Sequence, residues 1–270
     1  MAGPTFALNH MVAPSLSFAE LLKVGHAVGI RQFEIRNDLE GNAILDGTSP
    51  EAIRAQALAE GAVLLSINAL QRFNDWNEAR EREATELADY AAACGAKALV
   101  LVPVNDGTGQ RDGERQESLK KALGALKLIL EQAGLIGLVE PLGFQICSLR
   151  SKKEAAEAIA AVGGANRFKL VHDTFHHVLA GEPEIFPQLT GLVHISGVDD
   201  PQVAIDDMRD PHRVMVTEND RLDNVGQIHS LLAAGYSGPF SFEPFSPSVH
   251  ASADVEGIVR ASVEYVRQKL

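Results

Sequence analysis

Short apolar runs alternate with longer amphipathic stretches along the chain, and glycine or a helix-capping residue punctuates most junctions. The runs Phe6–Asn9, Gln32–Arg36, Val63–Ile67 and Ala98–Val102 are followed by four more that end at Glu140, Asp173, His194 and Glu243. Apolar runs of this length between turn signals read as buried parallel strands. The stretches between them read as helices. Ser17 caps one over Phe18–Val28, stopped by Gly29. Ser49-Pro50-Glu51 opens the next with a cap and then a proline at the first helical position, and Gly61 ends it. Further helices are predicted around Glu78–Ala93, Glu117–Gln132, Lys152–Val162, Pro183–Leu189, Leu222–Ala234 and Asp254–Gln268. Eight strand–helix repeats in 270 residues predict an α/β fold of the (β/α)8 TIM-barrel type, with residues 1–270 forming one domain. The competing doubly wound sheet usually carries a glycine-rich phosphate loop after its first strand. Here that loop is His10-Met-Val-Ala-Pro-Ser. The polar, proline-punctuated segment from Gly197 to Asp220 is long for a connector and is expected to be a functional loop over the barrel mouth.

The chemistry-bearing residues stand at the strand ends. Glu140, Asp173, His194 and Glu243 follow the fifth, sixth, seventh and eighth runs, which an α/β barrel places side by side, with their carboxyl ends toward the catalytic face. Three carboxylates and an imidazole converging there repel one another unless a divalent cation lies between them. Oxygen ligands with one imidazole suit Mn²⁺, Mg²⁺, Co²⁺ or Zn²⁺, and the pattern does not choose among them. His172 is expected to point away from Asp173, because successive strand residues alternate faces. Asn9, His10, Arg36, Asn37, Asn68, Gln71, Phe73 and Trp76 follow the first three strands. Each is a weaker candidate for the mouth, and Phe73 with Trp76 reads equally as packing at the barrel edge.

Composition narrows the partners. Hydrophobic residues make up 46 % of the chain, enough for a large core, and the formal net charge is −12. An acidic protein is poorly matched to nucleic-acid backbones or anionic membranes, so neither is an expected partner. Cys94 and Cys147, the two cysteines, do not make a disulfide framework, which points to a reducing cytoplasm. No basic segment leads into an apolar run at the N-terminus, so no signal peptide is expected, and no apolar stretch is long enough to span a bilayer.

Taken together, Val139-Glu-Pro-Leu-Gly143, His172-Asp-Thr-Phe-His176, Leu192-Val-His-Ile195 and Ser241-Phe-Glu-Pro244 resemble the xylose-isomerase-like sugar isomerase and epimerase superfamily, and within it the 2-keto-myo-inositol isomerases. The resemblance implies one divalent metal ion held by Glu140, Asp173, His194 and Glu243. It also implies that Glu140 and Glu243 act as acid and base, and that His176 contacts substrate. An arginine after the seventh strand is implied to contact substrate hydroxyls. Arg221 is the nearest match and Arg213 a competing candidate. The implied reaction shifts a carbonyl between adjacent carbons of a non-phosphorylated polyol or keto-sugar through an enediolate. Ketose 3-epimerase, hydroxypyruvate isomerase and inosose dehydratase activities of the same superfamily use the same groups. A non-catalytic polyol-binding barrel is an alternative of a different class. The superfamily's three-zinc DNA-repair endonucleases need further histidines on earlier strands. Here strand three ends in Ile67-Asn68 and strand four in Val102-Pro103, with no histidine in either. The exterior helices leave room for a homo-oligomer.

Overall fold

Side-chain oxygens set where most helices of this protein begin. In the computed structural model, which describes residues 3–270, Ser17 and Glu20 form a reciprocal capping box that opens α1 (Phe18–Ala27). Ser49 caps α2 (Pro50–Ala59) and Asn77 caps α3 (Glu78–Cys94). The long α4 (Glu114–Ala133) buries Leu119, Leu123, Leu126 and Leu130, a stripe at helical spacing, and stops at Gly134 in the left-handed region. Ser151 caps α5 (Lys152–Ala161), Asp173 caps α6 (Thr174–Ala180) and Asp223 caps α7 (Asn224–Ala233). Ser246 caps the short α8 (Pro247–His250), and Asp254 caps α9 (Val255–Lys269).

Eight strands run between these helices: β1 (Thr5–Asn9), β2 (Gln32–Arg36), β3 (Val63–Gln71), β4 (Ala98–Val102), β5 (Ile136–Val139), β6 (Phe168–Asp173), β7 (Thr190–Ile195) and β8 (Pro239–Phe242). They pair in sequence order, all parallel, and β8 returns to β1 to close the barrel. The fold is therefore the TIM barrel that the alternating pattern predicts. Closure leaves no unpaired sheet edge.

Side-chain alternation along the strands gives the barrel two cores. Leu99, Val139, Leu170 and Val193 point outward and join the large cluster under the helices, with Leu123, Leu126 and Leu130 of α4. Val100, Leu138, Val171 and Leu192, on the opposite faces of the same strands, fill the interior on the β4–β7 side. A third cluster of Leu142, Phe144, Phe175, Leu179, Met208 and Leu222 supports the loops at the carboxyl end.

One expected element is absent. Pro183–Leu189 forms no helix. Pro183 and Pro187 interrupt the donor series a helix needs, and Phe186 sits at φ 46°. The helix lies earlier, over Thr174–Ala180, where Asp173 accepts from His176 N–H at 2.9 Å and Gly181 ends the turn at φ 65°. The strand predicted over Val63–Ile67 extends to Gln71. The Gly197–Asp220 segment contains two short 3-10 turns and an antiparallel bridge between Gly197 and Val214.

Leu126 is fully enclosed between α4 and the barrel. Leu126→Ala is expected to lower unfolding stability by about 2–5 kcal/mol, read from urea unfolding. A loss below about 1 kcal/mol contradicts the burial.

Candidate metal centre and active site

Strand register brings the four predicted ligands to one level. Asp173 pairs with His194 across β6 and β7. Glu140 and Glu243 each stand one residue beyond their strands and continue the ladder: Glu140 N donates to Leu101 O at 3.1 Å, and Glu243 N to Ile195 O at 3.0 Å. One donor atom from each of Glu140, Asp173, His194 and Glu243 falls within 4.8 Å of the others, and all four residues are buried. His172 points to the other side of β6, where its Nε2 lies 2.8 Å from Gln227 Oε1.

The contacts around His194 define the electrostatics. Its Nδ1 is 2.8 Å from Glu140 Oε1 and 3.2 Å from Glu243 Oε2. Its Nε2 is 3.2 Å from Glu34 Oε1. Every polar edge of the ring thus meets a carboxylate. Two anions converging on Nδ1 require a positive centre at that point, either a proton or a metal ion. Three carboxylate oxygens and one imidazole nitrogen within 4.8 Å of one another fit the donor set of a divalent cation of the Mn²⁺, Co²⁺, Zn²⁺ or Mg²⁺ kind.

The carboxylates are not equivalent. Burial pushes Glu243 up, but His194, Arg213 and Arg36 outweigh it and hold the carboxyl down at about 2. Burial raises Glu140, and Glu243 and Asp173 add to that rise against the pull of His194, so its proton affinity ends above the ordinary range. Asp173 is held low against burial by Arg213 and His176. Burial would lower the proton affinity of His194, yet Glu243, Glu34 and Glu140 raise it well above the usual imidazole range.

Two arginines balance the anions. Arg213 Nη2 donates to Asp173 Oδ2 at 2.7 Å and to Glu243 Oε2 at 3.1 Å, and its Nε donates to Ser196 Oγ at 2.9 Å. Its guanidinium also lies over the rings of Phe175 and Phe245 at 5.0 and 4.6 Å. Arg36 Nη1 donates to Glu243 Oε1 at 2.9 Å and its other nitrogens grip Asp38. Arg213 is delivered by the Gly197–Val214 bridge, and its carbonyl accepts from Phe245 and Ser246 N–H.

The structure separates the two arginine candidates. Arg221 is exposed, and its guanidinium donates to the backbone carbonyls of Asp200 and Val203, the latter at 2.7 Å, within its own loop. It does not line the central cavity. Arg213 does, so the fold brings Arg213 rather than Arg221 to this cavity. That cavity, of about 220 Å³, is lined by Arg36, Asn68, Glu140, His176, Arg213 and Glu243 among others. His176 is buried against Phe144 and Phe175, with ring centroids at 5.0 and 5.2 Å, and its Nδ1 has no hydrogen-bond partner among the described residues. Of the weaker mouth candidates, Asn9, Arg36 and Asn68 join the polar network around the site. Phe73 lies in the main core and Trp76 packs against it. Cys147 is buried, and burial pushes its thiol up to about 11.

Glu34 escaped the sequence reading. It is fully buried inside the barrel and touches His194 directly. Its signal was present: in Gln32-Phe-Glu-Ile-Arg36, alternation places Glu34 on the same face as Arg36, between outward-facing Phe33 and Ile35.

Comparison with known proteins agrees with this architecture. Residues 22–269 match the family described as the xylose isomerase-like TIM barrel, and the chain belongs to that family. It is similar to the inosose isomerase of Bacillus velezensis, 27 % identical over 229 residues that cover 78 % of this chain and 80 % of that protein. Among solved structures it resembles a xylose isomerase domain-containing protein of Salmonella typhimurium, with a TM-score of 0.91, 32 % identity, and coverage of 98 % of this chain and 99 % of that one. A zinc-bound IolI protein superposes with a TM-score of 0.87 at 22 % identity, covering 98 % of this chain and 99 % of that one. Among the described residues no helix is long and apolar enough to cross a membrane.

Behind Asp173, Lys152 Nζ lies 2.7 Å from His177 Nδ1 and 3.4 Å from Glu182 Oε2. Burial, and then Lys152, push His177 from 6.5 down to about 4. The unfolded chain therefore takes up a proton below about pH 6.5 that the folded chain refuses until about pH 4, and stability falls as pH drops through that window. His177→Gln is expected to flatten this part of the stability–pH curve relative to the unsubstituted protein, measured by urea unfolding at several pH values. Parallel curves contradict the assignment.

Proposed function

We propose that this protein is a divalent-metal-dependent isomerase that shifts a carbonyl between adjacent carbons of a non-phosphorylated polyol or keto-sugar of the inosose type. The observation that carries the reading is the convergence of Glu140, Asp173, His194 and Glu243 within 4.8 Å at the catalytic end of the barrel. The relatedness to an inosose isomerase supports the substrate class, and the zinc bound by the IolI protein supports a metal in this one. When bound by these four residues, a divalent cation supplies the positive charge that polarises a carbonyl and neutralises developing oxyanion charge.

The chain's own groups account for the proton traffic and the binding. Moving a carbonyl to its neighbour requires a proton to leave one carbon and arrive at the other through an enediolate. Glu140 and Glu243 enter from separate strands and both line the cavity, the arrangement two carboxylates need to take and return a proton. Glu140, with the higher proton affinity, is suited to carry the proton. Glu243, clamped by Arg36 and Arg213, is suited to stay charged and so to act as the base. Their protonation is shared, so the pair rather than either residue titrates. His176 Nδ1, buried without a protein partner, is available for a substrate hydroxyl. Arg213 orients Asp173 and Glu243 and lines the cavity.

The charge balance favours a neutral substrate. Asp38, Glu140, Asp210 and Glu243 line the cavity with Arg36 and Arg213, and both arginines are already paired with carboxylates. Neither is free to neutralise a phosphate. A ketose 3-epimerase, a hydroxypyruvate isomerase and an inosose dehydratase would use the same groups, and the panel below separates them by product.

The test is incubation of purified protein and Mn²⁺ with inososes and ketohexoses in D₂O, following deuterium uptake at the carbon beside the carbonyl. Isomerised, deuterated product from an inosose is the expected result. No turnover across the panel with metal bound overturns the catalytic assignment and favours a polyol-binding barrel. Glu243→Gln is expected to keep the fold and lower turnover by about 10²–10⁴-fold; near-normal rates in that variant end its acid–base role. Arg221→Ala is expected to leave KM within about 2-fold of the parent, while Arg213→Ala disables the site. Both are read from steady-state kinetics on the product formed, and the reverse ranking contradicts the placement of the two side chains.

A further inference from the structure

We propose that Glu34 is a positioning residue that orients the His194 ring by accepting from its Nε2–H, so that Nδ1 is presented as the metal-binding nitrogen. This rests on the reading of Glu140, Asp173, His194 and Glu243 as a metal site.

Glu34 projects from β2 into the barrel and is fully buried. Four donors hold its carboxylate. Ser241 Oγ donates to Oε1 at 2.5 Å and Asn9 Nδ2 to the same oxygen at 3.4 Å. Ser66 Oγ donates to Oε2 at 2.5 Å and Asn68 Nδ2 to the same oxygen at 2.8 Å. These donors come from β1, β3 and β8, so the carboxylate is fixed from three sides of the barrel floor. The remaining contact is His194 Nε2, 3.2 Å from Oε1 and 3.3 Å from Oε2. A carboxylate surrounded by donors can only accept, so Nε2 must carry the proton. A neutral imidazole has one N–H, and its lone pair is then on Nδ1. That nitrogen is the one aimed at Glu140 Oε1 and Glu243 Oε2.

The rest of the barrel floor is built differently from this polar network. On the β4–β7 side the interior is filled by Val100, Leu138, Val171 and Leu192. A buried carboxylate costs stability that an apolar residue in the same layer would not. The arrangement instead matches the general pattern in which a ligating histidine donates its second N–H to a carboxylate, fixing the ring and raising the basicity of the ligating nitrogen.

The experiment compares Mn²⁺ and Zn²⁺ affinity of the full chain and of Glu34→Gln by titration calorimetry, and records the imidazole ¹⁵N spectrum of His194 in the Zn²⁺-loaded unsubstituted protein. The expected results are binding about 10–100-fold weaker in Glu34→Gln and a spectrum with the proton on Nε2 and a metal-shifted Nδ1. Equal affinity in a folded Glu34→Gln, or a proton on Nδ1, overturns the proposal while leaving the metal site intact. Absence of binding by the unsubstituted protein overturns the metal reading itself, and this role with it. Should Glu34→Gln fail to fold, Ser241→Ala, which removes one donor to Glu34 and no metal ligand, is expected to weaken binding in the same direction. The spectrum of the unsubstituted protein decides the tautomer without any variant.

Discussion

Burial of like charges at the carboxyl end of the barrel is the constraint on which the rest of this structure depends. Glu140, Asp173 and Glu243 lie with Glu34 around a single imidazole, all withdrawn from water. Such a cluster is unfavourable unless positive charge is fixed beside it. The fold supplies that charge through Arg36 from β2 and Arg213 from the β7–β8 connection, both bonded to Glu243. Phe245 serves both cations, with Arg36 and Arg213 at 5.4 and 4.6 Å from its ring centre. The loops at this end are therefore electrostatic components of the site as well as connectors.

The same constraint explains why the barrel interior is divided. On the β4–β7 side the inward positions carry valine and leucine, as a closed barrel ordinarily requires. On the β8–β3 side they carry Ser241, Asn9, Glu34, Ser66 and Asn68, tied to one another by hydrogen bonds. Each polar group there finds a partner, which keeps the cost of burying them low. The network forms a rigid floor under His194 and places one carboxylate where it controls the ring.

Precision at the mouth comes from backbone packing as much as from charge. Gly143 follows Glu140 in the β5 loop, and a Cβ there would meet His176 O at 2.4 Å and Leu179 Cβ at 2.5 Å. The missing side chain lets the loop lie directly on α6, so Glu140 and His176 reach the same cavity. Asp173 holds α6 in turn by capping it with one oxygen while the other accepts from Arg213. Candidate ligand, helix cap and ion-pair partner are thus one side chain.

The linear pattern determined the barrel, the order of its strands and the four convergent residues, because period-two burial and strand-end placement are local properties that a parallel fold turns into position. It missed the helix over Thr174–Ala180 and placed one over Pro183–Leu189, because a seven-residue helix leaves little periodicity and its strongest signal, the Asp173 cap, doubles as a site residue. It left Arg213 and Arg221 open and passed over Glu34. Those choices were decided only in three dimensions. A bridge between Gly197 and Val214 turns Arg213 inward, and backbone carbonyls of Asp200 and Val203 hold Arg221 at the surface. Closure of β8 onto β1 brings Ser241 to Glu34, 207 residues apart. Local sequence encodes which face a residue occupies, but only closure of the barrel decides which partners it meets.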